Sequence, residues 1–204
     1  MAKQKYGQKI SKMHSALHDF VGNWNVSQKV WSEPNGEPAT YKGKTKCTTV
    51  LGGLGTLMVT EIKATGFQGM GLMTFNTKTS SYDMAWLDTI SDQGILIMGG
   101  EQRQVASNAM LRSEFGKSAT QQREWTTALE TESACLPGDS LDAAATFAAE
   151  TSAKARTAGK ATSVPMRLVE NKISDNQWVL EFYVPGPSGK DFLVQQNTFT
   201  RAGR

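Results

Sequence analysis

The spacing of hydrophobic residues changes near the start of the chain, and the change separates a helix from a series of strands. Within residues 8–20, apolar side chains recur every three or four positions, which predicts a helix with one apolar face. They are Ile10, Met13, Leu17 and Phe20. Within residues 24–30, apolar and polar residues alternate instead, which predicts a strand with one face in the core.

Nine more segments alternate in the same way, separated by turns rich in glycine, proline, asparagine and aspartate. They are 41–50, 56–64, 67–76, 81–89, 95–99, 108–115, 166–173, 178–184 and 191–201. Helical patterns do not alternate with these strands, which argues against a parallel α/β sheet. About ten strands joined by short turns predict a mainly β protein. We expect an antiparallel up-and-down barrel with the N-terminal helix closing one end, since closure removes exposed sheet edges.

The alternation stops between residues 116 and 163, where alanine, threonine, serine, glutamate and glutamine dominate. Serine or aspartate N-caps begin two predicted helices here, 118–133 and 139–158. We expect a helical insertion before the last three strands of a single domain, residues 1–204. It would lie on the barrel surface or act as a lid over the barrel mouth.

Composition and charge exclude several classes of protein. The 204 residues contain no apolar run long enough to span a membrane and no secretory pattern at the start, so we expect a cytoplasmic protein. Two cysteines, Cys47 and Cys135, are too few for a disulfide scaffold. The net charge is +3, and Lys42, Lys44 and Lys46 share one strand face. Without interleaved arginines and aromatics, that stripe indicates a solvated surface and no nucleic-acid partner.

Motifs for catalysis or cofactor binding are absent from the sequence. His14 and His18 have the helical spacing that lets two imidazoles reach one metal ion, but there is no third histidine. We therefore expect histidines of helix packing or of the helix surface, and no metal or other cofactor. The glycine-containing segments match neither a phosphate-binding loop nor a nucleophile elbow.

Aromatic, methionine and glycine residues share faces of three predicted strands and form the candidate ligand site. These residues are Phe67, Gly69, Gly71, Met73, Tyr82, Trp86, Asp88 and Trp178. Such rows either line a pocket for a small hydrophobic or amphipathic ligand or simply fill the barrel. The glycines favour a cavity because they leave part of the inner face without side chains.

Two other functions remain open at this level. Asp88 or Glu61 would serve an enzyme as an acid or a base if its side chain faced the barrel interior. The barrel could otherwise be a structural or protein-interaction module that uses the insertion as its contact surface. Assembly as a homodimer stays open.

Four stretches resemble one known family. His14-Ser-Ala-Leu-His-Asp-Phe-Val-Gly22-Asn-Trp24 resembles the opening of a lipocalin-like family of unknown function, within the calycin superfamily. The other stretches are Leu51-Gly-Gly53, the run from Phe67 to Asp88, and Phe199-Thr-Arg201. The likeness covers about residues 10–105 and 164–201.

The resemblance implies a fold more specifically than a function. Calycins bind small apolar molecules, and the Gly-x-Trp of the first strand is paired with an arginine on the last. Carried over, Gly22, Trp24 and Arg201 would close one barrel end, with the guanidinium over the indole. The haem-binding branch uses a histidine near the C-terminus, and this sequence has none after His18, so no haem is implied.

Overall fold

The computed structural model describes residues 9–90, 94–103, 121–130, 163–186 and 189–203. A short helix, α1, spans Lys12–Leu17 and continues as a 3-10 turn at His18–Phe20. Ten strands lie within the described ranges. They are β1 Gly22–Val30, β2 Ala39–Val50, β3 Gly55–Ile62, β4 Phe67–Asn76, β5 Ser81–Asp88, β6 Leu96–Arg103, β7 Gln121–Glu130, β8 Ser163–Ser174, β9 Gln177–Pro185 and β10 Asp191–Arg201.

The strands form one curled antiparallel sheet in which each strand pairs with its neighbour in sequence. β1 pairs with both β2 and β10, so the sheet closes on itself as a barrel. Buried residues alternate with exposed ones along β1 and β4, as a sheet with one face in the core requires. The predicted mainly β, antiparallel fold with a short N-terminal helix is confirmed.

The predicted helix over 118–133 is wrong where the structure describes it, because residues 121–130 form β7. This strand pairs with β8 along its whole length, from Gln121 opposite Lys172 to Glu130 opposite Ser163. The β7–β8 pairing provides hydrogen-bond partners for the backbone N–H and C=O groups of this segment. It therefore overrides the helical propensity of the segment. The predicted strand 108–115 and helix 139–158 lie outside the described residues.

Helix α1 lies across one end of the barrel, here called the helix end; the opposite end is the far end. Leu17 and Phe20 are buried in the core. Helix carbonyls accept hydrogen bonds from barrel side chains: Thr56 Oγ1 donates to the Leu17 carbonyl at 3.2 Å. The Ser11 side chain caps the first turn of the helix, and His14 completes a reciprocal capping box. The helix therefore begins at Lys12, four residues after the start of the apolar pattern at residue 8.

Gly22, Trp24 and Arg201 meet beside the helix end. Trp24 lies opposite Arg201 in the β1–β10 register, and the guanidinium carbon is 4.3 Å from the indole centroid. A Cβ on Gly22 would lie 2.5 Å from Arg201 Nη1, and φ there is +139°. Only glycine suits both the close approach and this backbone conformation. The cation–π contact is the one that the family resemblance implies.

Candidate functional site

Cross-strand neighbours on β4, β5 and β6 build the barrel interior as successive rungs. From the helix end to the far end these are Phe75–Tyr82–Gly100, Met73–Met84–Met98, Gly71–Trp86–Leu96 and Gly69–Asp88. The candidate residues of the sequence are therefore spread over the full depth of the barrel. They do not form one compact cluster.

Four buried methionines form the middle of this interior. Met73, Met84 and Met98 share one rung, and Met58 on β3 lies opposite Gly71. Each is at most 4% exposed, and we call the four residues the methionine belt. Unbranched thioether side chains repack at low cost, so this belt is the most adaptable layer of the core.

The indole of Trp86 occupies the space above Gly69 and Gly71. A Cβ on Gly71 would lie 2.7 Å from Trp86 Cε3, and one on Gly69 would overlap the same ring. The expectation that these glycines leave an empty inner face is therefore wrong, because the missing side chains make room for an aromatic ring. The glycines form a floor on which the indole lies flat.

A hydrogen bond holds the indole in this position. Trp86 Nε1 donates to Asp88 Oδ2 at 2.8 Å, and Asp88 Oδ1 accepts from the backbone of Ile90 at 3.0 Å. The Phe67 ring lies nearly parallel to the indole, with centroids 6.4 Å apart. Asp88 thus orients an aromatic pair near the far end of the barrel.

Burial differs between the two ends of the barrel. At the helix end Trp24, Trp178 and Phe199 are each 2% exposed, and the last two stack with centroids 3.6 Å apart. Towards the far end Val184, Phe192 and Val194 are buried together, but five other apolar side chains there are only half-buried. They are Phe67, Trp86, Leu96, Met166 and Phe182. The far end therefore presents reachable apolar surface, whereas Trp178 and Tyr82 belong to the packed end.

An ion pair that the sequence analysis missed is buried at the helix end. Arg123 Nη1 donates to Glu170 Oε1 at 2.8 Å, and Nη2 donates to the Ala16 carbonyl at 2.9 Å. The guanidinium also lies over the rings of Phe20 and Tyr82. Burial raises the pKa of Glu170, and the neighbouring Arg123 opposes that rise. The available signal was a glutamate at a core-facing position of β8, two residues after Leu168.

Three buried nitrogens have no acceptor among the described residues: His14 Nε2, Arg123 Nε and Trp178 Nε1. His14 Nδ1 accepts the backbone N–H of Ser11, so its proton is on Nε2 and all three atoms are donors. Buried donors without acceptors are rare, and each costs about 1 to 3 kcal/mol. They mark positions where an oxygen atom of a ligand or of water would be stabilised.

Glu61 does not face the interior. Its side chain is exposed on the outer face of β3, opposite Lys44 of β2. Together with Lys42 and neighbouring strand residues, these two line an open outer groove of about 690 Å³. The expectation that Glu61 is an interior acid or base is therefore wrong, since it lies on the face of the sheet opposite to that of Asp88.

A second buried carboxylate, Glu181, lies on β9 among polar side chains. It accepts hydrogen bonds from Gln196 Nε2 at 3.1 Å, Tyr183 OH at 3.1 Å and Asn171 Nδ2 at 3.4 Å. Burial and the Glu181 charge raise the pKa of Tyr183. Its neighbours in sequence, Leu180 and Phe182, pack on the barrel core, so this cluster is on the outer face of β9.

The two histidines make separate contacts. His14 is fully buried against Phe75 and takes part in the helix cap, whereas His18 Nε2 donates to the Gly53 carbonyl at 3.1 Å. Within the described ranges, no three His, Cys, Asp or Glu side chains are grouped to hold a metal ion. None of the helices described is long and apolar enough to cross a membrane.

Cys47 should be unreactive in the folded protein. Burial raises its pKa to about 12, with a further contribution from the Glu170 carboxylate, so almost no thiolate forms near neutral pH. In a Cys135→Ser variant, we expect a disulfide reagent at pH 8 to modify Cys47 at least 100-fold more slowly than in the same protein unfolded in urea. Equal rates in the two states would contradict this burial.

One comparison with known proteins identifies a family. The family described as "Protein of unknown function (DUF1579)" matches residues 9–134. No curated protein matches the chain.

Proposed function

The chain belongs to the DUF1579 family of proteins of unknown function, and from that premise we propose that it binds one small, largely apolar ligand inside a lipocalin-like barrel. The ligand enters at the far end and rests against Trp86 and the methionine belt. The observation that carries the proposal is Trp86 itself. It is a half-buried, inward-facing indole on a glycine floor, fixed by Asp88.

Apolar pockets in barrels usually combine adaptable hydrophobic walls with a few polar groups. Here Phe67, Trp86 and Leu96 supply half-buried apolar surface, and the belt beneath them supplies side chains that repack readily. A ligand bound between Trp86 and the methionine belt loses its contacts with water and gains apolar contacts with both. The affinity for the ligand then depends on Gly69 and Gly71, because their missing side chains leave room for the Trp86 indole.

The unpartnered donors favour an amphipathic ligand over a pure hydrocarbon. Arg123 Nε and Trp178 Nε1 lie at the helix end, behind the methionine belt, so a ligand from the far end reaches them only when the belt side chains repack around it. A carbonyl or hydroxyl oxygen would satisfy such a donor, while a carboxylate would be repelled by Glu170. The best ligand therefore has an apolar body and a neutral oxygen.

The proposal is tested by titration with prodan, a neutral naphthalene that carries one carbonyl group and whose emission reports polarity. We expect saturable binding with blue-shifted emission, and at least 20-fold weaker binding by Gly71→Val, because the new side chain displaces the indole into the pocket. The control is Leu72→Asn, the next residue on the same strand, which is exposed on the outer face. Its affinity should stay within about twofold of the parent.

Circular dichroism and thermal melting establish that both variants are folded. If Gly71→Val bound prodan as tightly as the parent, or if Leu72→Asn weakened binding as much, the ligand would not lie inside the barrel.

A further inference from the structure

Exposed apolar side chains cover the outer face of four adjacent strands, β3 to β6. Between 43% and 65% of each side chain is exposed. These residues, here called the outer apolar patch, are Val59, Met70, Leu72, Leu87, Ile95 and Ile97. The outer face of β1 and β2 is instead polar, with Asn25, Ser27 and the lysine stripe.

The patch is continuous because its residues are cross-strand neighbours. Val59 lies opposite Met70, and Met70 lies opposite Leu87. One rung away, Leu72 and Ile97 both lie opposite Ala85. Rows of this kind form a continuous hydrophobic surface, and such surfaces pack against each other in sheet-on-sheet interfaces.

The size of the patch fits a specific interface. Its six side chains expose roughly 600 Å² together, at the upper limit of the largest patch on an ordinary monomer. A standard interface buries about 800 Å² on each partner, so the patch alone would supply most of such an interface. Exposed surface of this extent across paired strands promotes association.

Charges at the margin identify the partner. Lys46 lies opposite Val59 on one side, Glu61 follows on β3, and Asp83 flanks the patch on β5. A neutral centre with lysines on one side and carboxylates at its ends is complementary to itself, because a lysine of one copy can face a carboxylate of the other. We propose that the outer apolar patch binds a second copy of this chain, with two barrels packed face to face about a twofold axis.

Sedimentation velocity over a range from about 1 to 100 µM tests this assembly. The full chain should form a dimer, and Leu72→Glu/Leu87→Glu should weaken dimerisation at least 100-fold, because like charges would meet in an apolar interface. The matched control, Ile10→Glu/Leu51→Glu, adds the same charge at exposed apolar residues outside the patch. It should dimerise within about threefold of the parent.

Melting temperatures establish that the variants fold, and Leu72→Ser/Leu87→Ser provides a milder second pair. A parent chain that stays monomeric throughout the range overturns the proposal, as does a dimer that survives both patch pairs. Binding of the monomer to vesicles of phosphatidylcholine and phosphatidylserine would overturn it in favour of a lipid surface.

Discussion

Replacing Arg123 with methionine is expected to destabilise the protein by about 3 to 5 kcal/mol at pH 7, since removing one partner leaves the other charge buried and unpaired. Arg123 and Glu170 are 1% and 4% exposed, so water does not compensate. The substitution also removes the hydrogen bond to the Ala16 carbonyl, which ties the helix to the barrel. Urea unfolding followed by fluorescence measures the loss.

The destabilisation caused by Arg123→Met should grow with pH. Burial raises the folded-state pKa of Glu170 above its ordinary value of 4.5, and removing Arg123 removes the interaction that opposes this rise. The folded variant then binds a proton that the unfolded chain releases, so stability falls as pH rises from 4.5 towards the folded-state pKa. The slope is at most about 1.4 kcal/mol per pH unit. Destabilisation at pH 8 should therefore exceed that at pH 5.

A second substitution separates charge from shape. In Arg123→Met/Glu170→Gln no ionisable group remains at this position, so the extra pH dependence should vanish and part of the lost stability should return. An Arg123→Met variant whose stability tracks the parent at every pH would contradict a buried, unpaired carboxylate.

Gly22→Ala is expected to cost about 2 to 5 kcal/mol, through backbone strain at φ +139° and overlap with the Arg201 guanidinium. The control is Gly99→Ala, at a strand position where a Cβ meets no atom within 4 Å. That change should alter the free energy of unfolding by less than about 1 kcal/mol.

A double-mutant cycle divides the Gly22 cost between its two causes. In an Arg201→Ala background the overlap is gone and the strain remains, so Gly22→Ala should cost about 1 to 3 kcal/mol there. Strict additivity of the two substitutions would mean that the glycine serves the backbone conformation alone.

The fold followed from the sequence where local pattern and tertiary pairing agree. In β1 the alternation around Trp24 and Val26 is the burial pattern of the strand, and the glycines at turns mark the strand ends. In β7 the local sequence pattern and the tertiary pairing disagree. Residues 121–130 carry helix-favouring glutamines and glutamates, but they pair with β8 along ten residues and with β6 on their other side.

The candidate site was predictable only in part, for a related reason. Alternation placed Gly71 and Trp86 on the inner face, but it does not show that the indole of one strand lies over the glycine of the next. The Arg123–Glu170 pair joins residues 47 positions apart, beyond any local pattern. Glu61 and Asp88 look equivalent in sequence, but Glu61 lies between the buried Thr60 and Ile62 and so faces outward, whereas Asp88 shares the inner face of Trp86.

Methyl NMR of the protein with 13C-labelled methionine methyl groups tests binding inside the barrel most directly. Met58, Met73, Met84 and Met98 lie in the belt, whereas Met70 is on the outer face of the same sheet. On addition of prodan, the four belt methyl signals should shift with one common dissociation constant while the Met70 signal stays unchanged. Shifts at Met70 with unchanged belt signals would contradict binding inside the barrel.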